Sequence, residues 1–138
     1  MSNILASHGG CAVCADPVSN PHSLGVRYEY GAERGVQARF TVASHHQGYN
    51  GILHGGIVSA LLDGAMTHCI LHRDISALTA QLDVRFHRPI TLGEQVIVTA
   101  QCESERRSMY TMSAELRVCG ELRASAKGKF LRCDLARL

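Results

Sequence analysis

The sequence predicts an α+β fold, a curved antiparallel sheet of about six strands wrapped around one long central helix, on three observations. From Ile57 to Leu71 the chain is mostly apolar, has good helix formers and lacks proline, so it reads as a helix buried nearly all round. Elsewhere six runs alternate apolar and polar residues with a period of two, the pattern of half-buried strands. The breaks between the last three runs are short, which makes those strands antiparallel neighbours. A lone apolar helix following the second strand has one simple way to hide its surface, which is for the sheet to wrap it.

In chain order, residues 1–22 carry turn formers and read as a loop or short helical turn laid over the sheet. Leu24, Val26, Tyr28 and Tyr30 then alternate with polar residues, and Val36, Ala38, Phe40 and Val42 resume the alternation after Gly31 to Gly35, predicting a hairpin. A polar, glycine-containing loop over 45–51 leads into the helix, expected over His54 to His72. Leu82, Val84 and Phe86 mark the next strand, which Pro89 ends. Runs at 94–103, 108–118 and 121–131 complete the set. In the last, Leu122, Ala124, Ala126, Gly128 and Phe130 put small residues inward, so that a helix can lie close.

At 138 residues the chain is expected to form one domain, 1–138, near the low end for enclosing a substrate alone, so self-association follows from size. Hydrophobic residues at 46% against 19% charged argue against disorder. A formal charge of +2, with no stretch combining basic and aromatic residues, argues against a nucleic-acid partner. No targeting pattern and no long apolar run point to a membrane, and the expected location is cytoplasmic. The cysteines at 11, 14, 69, 102, 119 and 133 form no spaced framework and read as reduced thiols. Cys11 and Cys14 alone have metal-ligand spacing, with His8 and His22 as candidate completions. Without a second C-x-x-C, no metal and no cofactor is expected. His68 and His72 stand four apart without the glutamate of H-E-x-x-H, so His72 reads as a cation at the helix end.

The chemistry concentrates in one stretch. Asp63 stands about two turns inside the apolar helix, and Ser59 and Thr67, four residues to either side, share its face. Ahead of it, Gly55 and Gly56 present backbone N–H groups of the first turn, expected to be open to a developing negative charge. A hydrogen-bonded structural carboxylate and glycines serving close packing are the competing readings. The same tripeptide occurs at His8-Gly9-Gly10, but nine residues beyond His8 lies Pro17, whereas nine beyond His54 lies Asp63.

The stretch Gly48-Tyr-Asn-Gly-Ile-Leu-His54-Gly-Gly-Ile-Val-Ser-Ala-Leu-Leu-Asp63-Gly-Ala-Met66 resembles the signature of the hot-dog-fold acyl-CoA thioesterase superfamily, in the branch similar to phenylacetyl-CoA thioesterase. Cys11-Ala-Val-Cys14 through Tyr28 is similar to the leader of many members, and Val84-Arg-Phe-His-Arg88-Pro89 to their strand after the helix. Many relatives carry Asp-Glu where this chain has Asp63-Gly64, which leaves Asp63 the helix's one carboxylate. The resemblance implies hydrolysis of a coenzyme A thioester, with Gly55 N–H polarising the carbonyl and Asp63 acting as general base or nucleophile. It also implies a substrate-binding set of His54, Gly56, Thr67, Thr79 and an upstream amide. That amide commonly lies six residues before the His, where this chain has Gly48, so Gln47 and Asn50 are both candidates. Arg85, Arg88 and Arg107 are candidates for meeting the coenzyme A phosphates, Arg88 foremost. The implied assembly is a homodimer with shared active sites, paired into a tetramer. The alternative is a non-catalytic hot-dog module that binds acyl-CoA, in which Asp63 is structural.

Overall fold

The computed structural model describes residues 6–31 and 35–138; the expected turn over 31–35 and the start of the leader fall partly outside them. Six strands, β1 (Glu29–Tyr30), β2 (Val36–Thr41), β3 (Ala77–Phe86), β4 (Gln95–Arg106), β5 (Met109–Val118) and β6 (Glu121–Arg132), form one antiparallel sheet in the order β1-β2-β4-β5-β6-β3. Helix α1 (Gly55–Leu71) enters between β2 and β3 and packs on β2 to β6. This is the hot-dog arrangement. Strand alternation gives the sheet its inner face: Val36, Ala38 and Phe40, then Val96, Val98 and Ala100, then Tyr110, Met112, Ala114 and Leu116 are all buried. Against them lie Leu61, Leu62, Ala65 and Met66 of α1, none with measurable exposure. Close approach is possible because β6 offers Gly128. A Cβ there would stand 3.0 Å from Met66 Sδ and 2.9 Å from Phe130 Cε1.

One expected element is shorter than its pattern. Only Glu29 and Tyr30 of the run beginning at Leu24 pair with β2. The N–H groups of Leu24 and Val26 instead donate to the carbonyls of Ala12 and Val13, 2.9 Å each, and Gly25 takes φ +68°. The alternation is real, since Val26 and Tyr28 are buried, but the backbone bonds are given to the leader rather than to the sheet.

β3 is the sheet's edge. Paired with β6 on one side only, it leaves Leu78, Leu82 and Phe86 36–58% exposed, an apolar border along an open strand edge. Among the described residues no helix is long and apolar enough to cross a membrane.

Candidate active site

The loop ahead of α1 is tied down by its own backbone and by three side chains. Leu53 N–H donates to Ile90 O at 2.8 Å, His54 N–H to His46 O at 2.9 Å and Gly48 N–H to Ile52 O at 2.9 Å. Gln47 Oε1 accepts from Gly51 N–H at 2.8 Å. His46 is buried against Phe40, and its Nδ1 accepts from Ala43 N–H at 2.9 Å. His46 lay outside the expected set, though a histidine pair beside a polar loop is the only signal the sequence offered for it.

His54 is the N-cap. With extended backbone it turns its Nδ1 onto Gly56 N–H, 2.8 Å away, while its carbonyl accepts from Ile57 and Val58. This corrects the expectation for Gly56: its N–H is occupied by the cap and is not open to a ligand. Gly55 N–H differs, having no acceptor among the described residues. It opens on a cavity of about 330 Å³ walled by Gly48, Tyr49, Ile52, Leu53 and His54. Phe86 of β3 lies on its other side, its Cε1 3.6 Å from where a Cβ of residue 55 would be.

Two turns on, Asp63 is half-buried and its Oδ1 accepts from Thr79 Oγ1 of β3 at 2.8 Å. Burial pushes the Asp63 carboxyl above its ordinary pKa, and the Thr79 hydrogen bond and then the charge interaction with His8 oppose that shift. Such opposing influences suit a base, which needs proton affinity without losing its ionised form. Of the candidate threonines Thr67 and Thr79, Thr79 meets the carboxylate. Thr67 Oγ1 donates to the backbone carbonyl of Asp63 at 2.9 Å, the back-bond available to a helical threonine, so it is not oriented toward the carboxylate.

Gly64 lies tightly against Tyr28. A Cβ there would come within 2.6 Å of Tyr28 Oη, whose phenol donates to Leu61 O at 2.9 Å and stacks on His68 with ring centroids 4.7 Å apart. Tyr28 fills the space a second acid would need.

The remaining candidates are dispersed. Asn50 is exposed at the loop tip, and Gln47, half-buried, has its amide oxygen committed to Gly51, leaving its NH₂ as the donor on offer. Arg88 borders a second cleft, about 250 Å³, that includes Phe86 and Val58, and is 3.5 Å from Glu121 in a largely exposed pair. Arg85 borders a polar groove of about 560 Å³ that also includes Thr99, Gln101 and Glu103 and that Asp63 does not line. Arg107 occupies the β4–β5 turn at φ +58°. The three arginines therefore do not form one cluster. Phe86, which the sequence marked only as a strand residue, stands beside Gly55 and lines the neighbouring cleft.

The thioesterase superfamily model matches residues 50–122, the span from the loop tip through α1 to the start of β6. Acyl-coenzyme A thioesterase THEM4 of Bos taurus is 28% identical over 104 residues, 74% of this chain and 43% of that protein. The chain spans about half the length of the curated relatives it matches first. A crystal structure of a thioesterase superfamily protein superposes with a TM-score of 0.82 at 27% identity, covering 88% of this chain and 63% of the other. A hypothetical thioesterase of Streptococcus pneumoniae, crystallised with coenzyme A, shares the fold with a TM-score of 0.73 at 17% identity, over 78% of this chain and 87% of the other.

Proposed function

Because this chain belongs to the thioesterase superfamily, we propose that it is an acyl-CoA thioesterase in which Asp63 and Gly55 carry the reaction. The observation that carries this reading is the pairing on one helix of a half-buried carboxylate, held by Thr79, with an unoccupied N–H at the helix start. Gly55 N–H stabilises the oxyanion as the thioester carbonyl is attacked, aided by the positive end of the helix dipole. Asp63 either takes a proton from the attacking water or itself adds to the carbonyl carbon, giving a mixed anhydride that water then cleaves. In both routes coenzyme A leaves as the thiolate and is protonated, and the acid is released. The relatives' names and the coenzyme A in the Streptococcus pneumoniae structure support the substrate class. All six cysteines are free, which supports a reducing, cytoplasmic setting.

One copy cannot complete this site. Gly55 and Asp63 are separated by eight helical residues, about 12 Å along the axis, whereas both must lie about 3 Å from the reacting group. Each, however, faces β3, Gly55 at Phe86 and Asp63 at Thr79. If two copies pair antiparallel along their β3 edges about a two-fold between Leu82 and Asp83, Thr79 of one copy lies near Phe86 of the other. Gly55 of one then approaches Asp63 of the other, twice over. The same pairing covers the apolar border of Leu78, Leu82 and Phe86. Such dimers, paired further, give the tetramer implied by the resemblance.

Asp63→Asn keeps the shape and removes the base. In an assay of coenzyme A release with a thiol reagent, it should lower turnover of acyl-CoAs at least on the order of a hundredfold. It should keep or gain thermal stability, because burial disfavours the ionised carboxyl it replaces. A folded variant retaining most activity would make Asp63 structural. Tight acyl-CoA binding without turnover by the wild-type protein would favour the non-catalytic module. Mixing Asp63→Ala chains with chains damaged at Gly55 should restore about a quarter of the sites under random pairing; confirmed heterodimers without activity would refute sharing.

A further inference from the structure

The leader holds a group of side chains that the proposed reaction does not use. His8 Nδ1 lies 3.4 Å from Cys14 Sγ. Cys11 Sγ, in the same loop, accepts the N–H groups of Val13 at 3.3 Å and Cys14 at 3.4 Å. Facing them from α1 is His68, only 7% exposed, its ring edge-on to that of His8 with centroids 5.8 Å apart. Both ring nitrogens of His68 are buried without a hydrogen-bond partner among the described residues. Either tautomer has one N–H and one lone pair, so a buried imidazole with neither satisfied is an anomaly that calls for a ligand. One donor atom from each of His8, Cys14 and His68 lies within 4.8 Å of the other two.

We propose that His8, Cys14 and His68, completed by Cys11, form a tetrahedral site for a thiophilic divalent cation of the zinc class, which fastens the leader to α1. A tetrahedron with metal–sulfur bonds of about 2.3 Å and metal–nitrogen bonds of about 2.0–2.1 Å has a sulfur–nitrogen edge near 3.6 Å. The His8–Cys14 separation of 3.4 Å already meets that edge. The separations to His68, at most 4.8 Å, need to close by no more than about 1.5 Å to reach tetrahedral edges, and Cys11 Sγ, 3.4 Å from Cys14 N, would complete the set by rotation of its side chain. Two imidazoles and two thiolates are the donors that select zinc over magnesium or calcium, and with a divalent ion the set is electrically neutral, so it can be half-buried. His22, the sequence's fourth candidate, has no such role: it is exposed, and its backbone N–H is bonded to Asn20 Oδ1 at 3.0 Å. The fold puts His68 in its place. With four protein donors the site is closed, so its role is structural, not catalytic.

Metal content of the full chain as purified, and of the chelator-treated chain titrated with zinc against a chromophoric competitor, tests this directly. One ion per chain is expected, with a melting temperature that falls on chelation and recovers on zinc addition. Cobalt in its place should show the near-ultraviolet thiolate-to-metal charge-transfer band and the visible bands of a tetrahedral centre. Cys11→Ser and Cys14→Ser should each roughly halve the thiolate band, and His8→Ala should weaken zinc binding at least on the order of tenfold. His22→Ala should change neither. Because His68 lies in the core and Cys14 packs against it, His68→Gln and Cys14→Ser are interpreted beside His8→Ala and Cys11→Ser, with folding checked for each variant. Failure of the folded wild-type chain to retain stoichiometric zinc, a cobalt spectrum without the thiolate band, or leader variants that bind zinc as tightly as wild type would overturn the site. None of these measurements depends on thioester turnover.

Discussion

Replacing Thr79 by valine probes the candidate site at its most local contact. The substitution keeps the β-branched shape on β3 and removes the hydroxyl that, among the described residues, donates to the Asp63 carboxylate, at 2.8 Å. A hydrogen bond to a charged group is typically worth about 1.5–3 kcal/mol. Thr79 is exposed, which places its contribution at the lower end of that range. Losing about 1.5 kcal/mol of preference for the ionised base lowers kcat/KM roughly tenfold at a pH on the acidic limb of the profile. The direction follows from the balance at Asp63: burial already raises its pKa, and the Thr79 hydrogen bond is the larger of the two influences that hold it down. Without the hydroxyl, less of the carboxylate is ionised at a given pH, so the acidic limb moves to higher pH and the deficit narrows as pH rises. The assay is kcat/KM for one acyl-CoA across the pH range, with sedimentation to confirm an unchanged assembly. Added to Asp63→Asn, Thr79→Val should cost little more, because the two residues share a single interaction. An unshifted limb, or an undiminished loss in the Asp63→Asn background, would refute the assignment.

Two further outcomes concern the scaffold. Gly64→Ala gains up to about 1 kcal/mol of helix propensity, but its Cβ would lie 2.6 Å from Tyr28 Oη and displace the phenol from Leu61 O. Overpacking of that kind costs about 1–3 kcal/mol, so the melting temperature should fall by a few degrees; a rise would show that Tyr28 yields freely. Glu94 is held down to a pKa of about 2, first by its hydrogen bonds with Arg123, at 3.0 and 3.1 Å, and then by the Thr91 N–H. A carboxylate with a depressed folded pKa stabilises the fold above its unfolded value and loses that contribution as pH falls from about 4.5 to about 2. With solvent screening the contribution is about 1–2 kcal/mol, so urea unfolding should find Glu94→Gln weaker than wild type by that amount near neutral pH and equal to it at the acid end. A difference independent of pH would assign the effect to packing.

Local periodicity in the chain dictates the kinds of element: an apolar helix too wide in its hydrophobic surface for one partner, and strands with one buried face. It also exposed Asp63, because a carboxylate interrupting an apolar helix violates the pattern around it. The neighbours of Asp63 were a different matter. Thr67 shares its helix face, yet the hydroxyl turns to Asp63 O four residues back, because a threonine within a helix finds that carbonyl at bonding distance. The hydroxyl that does reach the carboxylate comes from Thr79, in a strand whose place at the sheet edge is set by the order β1-β2-β4-β5-β6-β3 rather than by any local pattern. The run from Leu24 shows the same limit, since alternation predicts which side chains are buried but not which backbone receives the hydrogen bonds. His8 and His68 are sixty residues apart in the chain and meet only because the leader crosses α1. Contacts of that range depend on sheet order, register and helix approach, which arise when the whole core packs, and tertiary structure alone decided them.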